Sequence, residues 1–113
     1  MTIAAIAKKL LLCPLTEPFN ESSVISDCYI GDLLSWVMGR APAECVWVTV
    51  MGNANAIAVA RLADISAIIL CENSPLDDEA KKQATLNRIP VYQCGKTAFE
   101  IAAVISRMLE EKP

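Results

Sequence analysis

Few residues of this chain have the type and spacing to do chemistry, and most of those lack the partner that the chemistry needs. Gly95-Lys96-Thr97 ends like a phosphate-binding P-loop, whose backbone N–H groups cradle phosphates. That motif also needs a glycine five residues before Gly95, and this chain has Pro90 there. Cys94 falls between an apolar run and a helical one, where a phosphatase nucleophile would stand. No arginine follows it in the turn, and the chain has no histidine to activate it. Without histidine there is no Ser/His/Asp set either. Asp77 and Asp78 are adjacent carboxylates, but they fall in a helix first turn, where stabilising the dipole explains them.

Five cysteines at 13, 28, 45, 71 and 94 contain no C-x-x-C pair. That spacing excludes the common zinc patterns and ferredoxin-type clusters, so neither a metal nor another cofactor is expected. Several of these thiols lie inside apolar runs, where a free cysteine packs as a small core residue, reactivity being the other role open to it.

Binding residues remain. Met51-Gly52-Asn53-Ala54-Asn55, Cys71-Glu72-Asn73-Ser74 and Cys94-Gly95-Lys96-Thr97 each follow an apolar run and precede a helical one. In an open parallel sheet such turns gather beyond the carboxyl ends of the strands, where helix N-termini offer unpaired N–H groups. The candidate ligand set is therefore Gly52, Asn53, Asn55, Asn73, Lys96 and Thr97. The glycines permit close backbone approach, the asparagines supply neutral amides, and Lys96 is the one cation. An anion or a nucleotide phosphate suits such a set. The same residue types also make turns and cap helices with no ligand involved, and both readings stand on sequence alone.

The elements that must position this set follow from the pattern. Residues 2–12 have helical periodicity with Thr2 as cap, and Leu10 to Leu15 runs on toward a short strand before Pro18. Ile25 to Ile30 is extended. Gly31-Asp32 then opens a helix through Leu34, Trp36 and Val37, with Gly39 expected as its left-handed C-terminal residue. Val46, Trp47, Val48 and Val50 form a central strand with apolar side chains on both faces, as helices on both sides require. Ala67 to Cys71 and Pro90 to Cys94 repeat that grammar. Asn53 or Asn55 is expected to cap the first following helix and Ser74-Pro75, with Asp77, the second. Thr97-x-x-Glu100 is a capping box for the last. The last helix, Thr97 to about Glu111, has an apolar arc wider than one sheet contact needs, either for a partner chain or for deep burial.

At 113 residues the chain is expected to be a single domain able to bury one core without disulfides or metal. Hydrophobic residues make up 54% and charged residues 20%, an apolar balance that suits self-association into a homodimer. A net charge of −3 without a Lys/Arg cluster argues against nucleic acid. Between Lys9 and Arg40 the only charges are Glu17, Glu21, Asp27 and Asp32, a solvated surface or a docking face for a basic partner. Ile3 to Cys13 superficially resembles a lipoprotein signal, but its apolar part precedes Lys8 and Lys9, and Leu12 stands where a small residue belongs. No run is long enough to span a membrane, and the odd cysteine count fits a reducing cytoplasm.

One family brings these segments together. Cys28-Tyr29-Ile30-Gly31-Asp32-Leu33-Leu34-Ser35, Trp47-Val48-Thr49-Val50, Asn55 to Ala60, Ile65 to Leu70, Ile89-Pro90-Val91 and Thr97-Ala98-Phe99-Glu100 resemble a stand-alone DRTGG domain, similar to the N-terminal domain of HPr kinase/phosphorylase. The resemblance covers roughly residues 1–110. It implies a three-layer α/β sandwich, a mostly parallel sheet with helices on both faces, and a non-catalytic role in regulation, ligand sensing or assembly. Longer members join the domain to phosphotransacetylase, CBS-pyrophosphatase or kinase modules, and stand-alone copies accompany anaerobic redox and hydrogenase systems. The name-giving turn departs here. Relatives carry a Gly-Asp-Arg-Thr type turn after the first central strand, and this chain reads Gly52-Asn53-Ala54-Asn55, without either charge. The expectation is a regulatory module, not an enzyme, with a small anionic or nucleotide ligand. The alternative is an adaptor docking onto a redox or phosphotransfer enzyme.

Overall fold

The computed structural model describes residues 1–111; Lys112 and Pro113 lie outside the described residues. Five strands form one sheet: β1 (Cys13–Pro14), β2 (Asp27–Ile30), β3 (Cys45–Thr49), β4 (Ala67–Leu70) and β5 (Val91–Gln93). Their spatial order is β1-β5-β4-β3-β2. β2 to β5 run parallel, and only β1 is antiparallel, with Cys13 opposite Gln93 and Pro14 opposite Tyr92. A two-residue strand containing proline suits an edge, because proline brings no N–H to the ladder.

Alternation along β3 sorts the core into two halves. Cys45 and Trp47 face α2 (Leu34–Arg40), α3 (Ala54–Leu62) and α4 (Asp78–Leu86), whereas Val46 and Val48 face α1 (Ile3–Leu10) and α5 (Ala98–Glu110). All five residues of β3 are buried. The result is the expected three-layer sandwich, since a parallel strand with apolar side chains on both faces needs helices over each.

Local signals explain most helix ends. Thr2, Asn53 and Thr97 cap α1, α3 and α5 by accepting from the amides of Ala5, Ala56 and Glu100. Ile3, Ile6 and Leu10 recur at helical spacing and are buried, so α1 docks by one stripe. Two expected ends differ. Gly39 lies inside α2, which runs on to Arg40, and no described glycine has a positive φ. Ala41 precedes Pro42, and the proline ring drives Ala41 into extended backbone (φ −68°, ψ 126°), which stops the helix without a left-handed residue. Ser74 does not cap α4. Its hydroxyl donates to the Cys71 carbonyl at 2.7 Å, and Asp77 is the cap, accepting from the Ala80 amide at 2.7 Å. The turn through Glu72 and Asn73, both left-handed, delays the helix by three residues. In α5, Ile101 and Ile105 are buried, Val104, Met108 and Leu109 pack half-buried on the same core, and Phe99 is exposed.

Candidate functional site

The parallel strands all end on one edge of the sheet, and hydrogen bonds between loops stitch that edge together. The Asp77 amide donates to the Gly52 carbonyl at 2.9 Å, tying the β3–α3 turn to the β4–α4 loop. The Asn73 amide donates to Cys94 O at 3.0 Å and the Glu72 amide to Lys96 O at 2.9 Å, tying that loop to the β5–α5 turn. Gln93 Nε2 donates to Ser74 O at 3.0 Å and to Asn73 O at 3.3 Å. Left-handed backbone at Glu72 (φ 54°) and Asn73 (φ 56°) turns their amides toward the neighbouring loop. Such a conformation is tolerated at Asn more readily than at most side chains.

At the β5 end the edge opens into a cleft of ≈ 510 Å³. Asn73, Gly95 and Lys96 line it together with Gln93, Cys94, Glu100, the end of α1 at Leu10 and Leu11, and Cys13 of β1. A Cβ on Gly95 would stand 3.1 Å from Asn73 Nδ2, so glycine lets the asparagine side chain lie against this turn. Lys96 has an acidic neighbour. Glu100 Oε1 accepts from the Thr97 amide at 3.0 Å and from Thr97 Oγ1 at 3.1 Å. Those bonds, the backbone one first, hold the Glu100 carboxyl below the usual carboxylate range, and Lys96 adds to the effect.

The structure thus gathers Asn73 and Lys96, with Gly95, on one cleft. It places the other candidates elsewhere on the edge. Gly52 packs against backbone: a Cβ there would lie 1.9 Å from the Pro75 carbonyl oxygen. Asn53 Oδ1 accepts from the Ala56 amide at 2.9 Å, Asn55 is exposed on the first turn of α3, and Thr97 is held in the complete capping box of α5. Two other hollows, of ≈ 330 Å³ between α3 and α4 and ≈ 290 Å³ at the amino edge around Arg61 and Arg88, include none of the six.

Sequence reasoning missed Asp32. Expected to open α2, it turns back instead, and its Oδ1 accepts from Thr49 Oγ1 at 2.7 Å and from the Val50 amide at 3.0 Å, fastening the end of β3. The buried Thr49 inside an apolar strand was the signal, since a buried hydroxyl needs a partner. Leu10, Leu11 and Cys13 gave none, because only the distant pairing of β1 with β5 brings them to the cleft.

The thiols divide by setting. Burial first, then Cys45 and Asp27 nearby, pushes the Cys28 thiol up to about 12. Burial and Asp27 push Cys45 up to about 11, and burial raises Cys71. All five cysteines are free. Among the described residues no group of three or more His, Cys, Asp or Glu is placed to hold a metal ion. No described helix is long and apolar enough to cross a membrane.

No family model matches the sequence, and no curated protein matches it. Among solved structures the fold is similar to the CBS and DRTGG domains of the regulatory region of a Clostridium perfringens pyrophosphatase, crystallised with its activator diadenosine tetraphosphate. The TM-score is 0.70 at 14% identity, over 92% of this chain and 45% of that one. The chain therefore spans less than half of that structure, and at this identity the likeness is one of fold.

Proposed function

We propose that residues 1–113 form one DRTGG-type regulatory domain, non-catalytic, that senses a small anionic ligand of the nucleotide class at the carboxyl edge of its sheet. The observation that carries this reading is the convergence of Asn73, Gly95 and Lys96 on a cleft of ≈ 510 Å³, a volume in the range of small-molecule sites. Lys96 supplies the charge and Asn73 a neutral amide, while Gly52, Asn53, Asn55 and Thr97 frame the loops that hold them. Glu100, the acid beside Lys96, is committed to the α5 capping box, so binding rather than proton transfer is the work of this edge. The fold likeness to a regulatory region crystallised with diadenosine tetraphosphate supports a nucleotide as ligand. The resemblance to the N-terminal domain of HPr kinase/phosphorylase belongs to the same reading, as does a setting in the reducing cytoplasm.

The domain works as a homodimer in this reading. Ile30, Leu33, Trp36 and Met38 are exposed on and beside β2, an open edge strand, and supply apolar surface for a second copy. Docking onto a redox or phosphotransfer enzyme is the alternative use of that face. Light scattering at micromolar concentration decides the first point: a clean species at the monomer mass of 12.2 kDa refutes the homodimer.

A thermal-shift screen of nucleotides, dinucleoside polyphosphates and phosphorylated metabolites tests the ligand reading, because a ligand at 100 times its dissociation constant adds about 2.7 kcal/mol to stability. Against any hit, Lys96→Ala is expected to lose about 1–3 kcal/mol of binding, the usual worth of a charge-assisted hydrogen bond, with the melting temperature almost unchanged. Thr97→Ala costs about 1 kcal/mol of stability as a lost cap, with or without ligand. Equal affinity of wild type and Lys96→Ala in calorimetric titration overturns the assignment.

A further inference from the structure

Register and face separate the five thiols. Cys45 stands opposite Asp27 and Cys28 opposite Val46, and the two sulfurs fall on different faces: Cys45 packs with Trp47 toward α2 and α3, Cys28 against the core beneath α5. Cys13 stands opposite Gln93, one residue out of step with Cys94, which puts its side chain on the other face of the pleat. Cys71 and Cys94 differ from all of these. The β4–β5 register, Leu70 opposite Gln93, carries on by one residue to set Cys71 beside Cys94, and the Cys94 amide donates to Leu70 O at 3.0 Å there. Both pack into the same half of the core, with Tyr92 and Ile101. Neighbouring strands lie about 4.8 Å apart, and a disulfide accepts Cα separations of about 4.4–6.8 Å. Access is graded. Both are buried, Cys71 at 3% and Cys94 at 7% exposed, and of the two Cys94 lines the cleft.

We propose that Cys71 and Cys94 are a reversible dithiol–disulfide pair, oxidised through the cleft by a low-molecular-weight disulfide. Cys94 gives its proton to solvent and its thiolate attacks one sulfur of the disulfide. One thiol leaves, carrying the electron pair of the broken S–S bond and taking up a proton. The Cys71 thiol then loses its proton, attacks the Cys94 sulfur and expels the second thiol. Two cysteine thiols are oxidised and one disulfide is reduced to two thiols. Burial raises the Cys71 thiol, so the second step quickens as pH rises. The new bond staples the Glu72-Asn73 turn to the Gly95-Lys96 turn. Redox control of the cleft is the consequence, and that consequence alone rests on the ligand reading above.

The test needs no ligand, so its failure is distinct from failure of that reading. The reduced full-length chain is incubated with glutathione disulfide, quenched by alkylation and mapped by mass spectrometry after trypsin. The expected result is loss of two of the five alkylatable thiols, with the tryptic peptide spanning 62–81 linked to that spanning 89–96, reversed by dithiothreitol. Cys71→Ser is expected to stop at a stable glutathione adduct on Cys94, and Cys94→Ser to leave Cys71 unmodified in the folded protein. A wild-type adduct on Cys94 that never resolves, a bond from Cys94 to Cys13, or both Cys71 and Cys94 still alkylated would each overturn the proposal.

Discussion

Replacing Gly52 by alanine tests whether the loops of the carboxyl edge are packed backbone to backbone. The added Cβ would lie 1.9 Å from the Pro75 carbonyl oxygen, 2.9 Å from its carbon and 3.1 Å from Leu76 Cα. Carbon–oxygen contacts of this kind settle near about 3.3 Å, so the two loops must part by roughly 1.4 Å, and all three obstructing atoms are main chain, which no rotamer change can clear. Parting strains the bond from the Asp77 amide to Gly52 O, worth about 1 kcal/mol, and disturbs Asp77 as the cap of α4, worth about 1 kcal/mol more. Overpacking of this kind adds about 1–3 kcal/mol. The sum is a loss of about 3–5 kcal/mol, and at roughly 4 °C per kcal/mol for a domain of this size the melting temperature falls by about 12–20 °C.

Gly39→Ala is the matched control, because a Cβ there meets nothing within 4 Å and the residue sits inside a helix. It is expected to gain about 0.5–1 kcal/mol by removing backbone freedom from the unfolded chain. Urea unfolding followed by far-UV circular dichroism measures both, with the m-value as a check that the transition keeps its character. If Gly52→Ala stays within about 0.5 kcal/mol of wild type, the seam between these loops is looser than described and the reasoning fails.

Two further outcomes follow from buried groups. The Tyr92 hydroxyl is buried without a hydrogen-bond partner, so Tyr92→Phe is expected to be neutral or to stabilise by up to about 1 kcal/mol; a loss above about 1 kcal/mol by the same urea assay means that the oxygen is satisfied. Cys28 and Cys45 are raised in the fold to about 12 and about 11 from an ordinary 9.0, so above pH 9 the unfolded chain sheds protons that the folded one keeps. Each thiol then lowers stability by up to about 1.4 kcal/mol per pH unit until its folded value is passed, and Cys28→Ala/Cys45→Ala is expected to flatten the decline between pH 9 and 11 relative to wild type.

The parts of this fold legible from sequence are those fixed by neighbours along the chain. Thr2, Asn53 and the Thr97/Glu100 box cap helices through amides three residues away, and the apolar runs at 46–48, 67–70 and 91–92 need no distant partner to read as buried strands. Ser74-Pro75 has the same local grammar as a helix start, but the loop is drawn toward β5 by Gln93 and held to Gly52 by the Asp77 amide, and those contacts displace the cap to Asp77. Gly39 misled for a different reason: two devices can end a helix there, and Pro42 acted first. A third of the cleft lining, Asn73, Gly95 and Lys96, was readable as turn residues at strand ends. The third supplied by Leu10, Leu11 and Cys13 depends on an antiparallel edge pairing between opposite ends of the chain, for which two residues of strand leave no periodic trace.

The charge around the edge decides where on it an anion would sit. Asp32 closes the β2–β3 end with its carboxylate, which repels a negative group there, whereas Glu72, exposed in the β4–α4 loop and bonded through its amide to Lys96 O, sets a second acid near the Lys96 charge. At the β5 end the first turn of α5 reaches the cleft through Glu100, which already occupies part of the helix pole: its carboxylate takes the Thr97 amide, and Thr97 Oγ1 takes the Glu100 amide. The capping box thus acts as a built-in anion at the helix end, leaving the amides of Ala98 and Phe99 as the first-turn donors that it does not take. A ligand phosphate has to share that pole with Glu100 rather than replace it. In the proposed reading its recognition falls mainly to Lys96 and Asn73, whereas the Gln93 side-chain amide in the same cleft is spent on Ser74 O and Asn73 O.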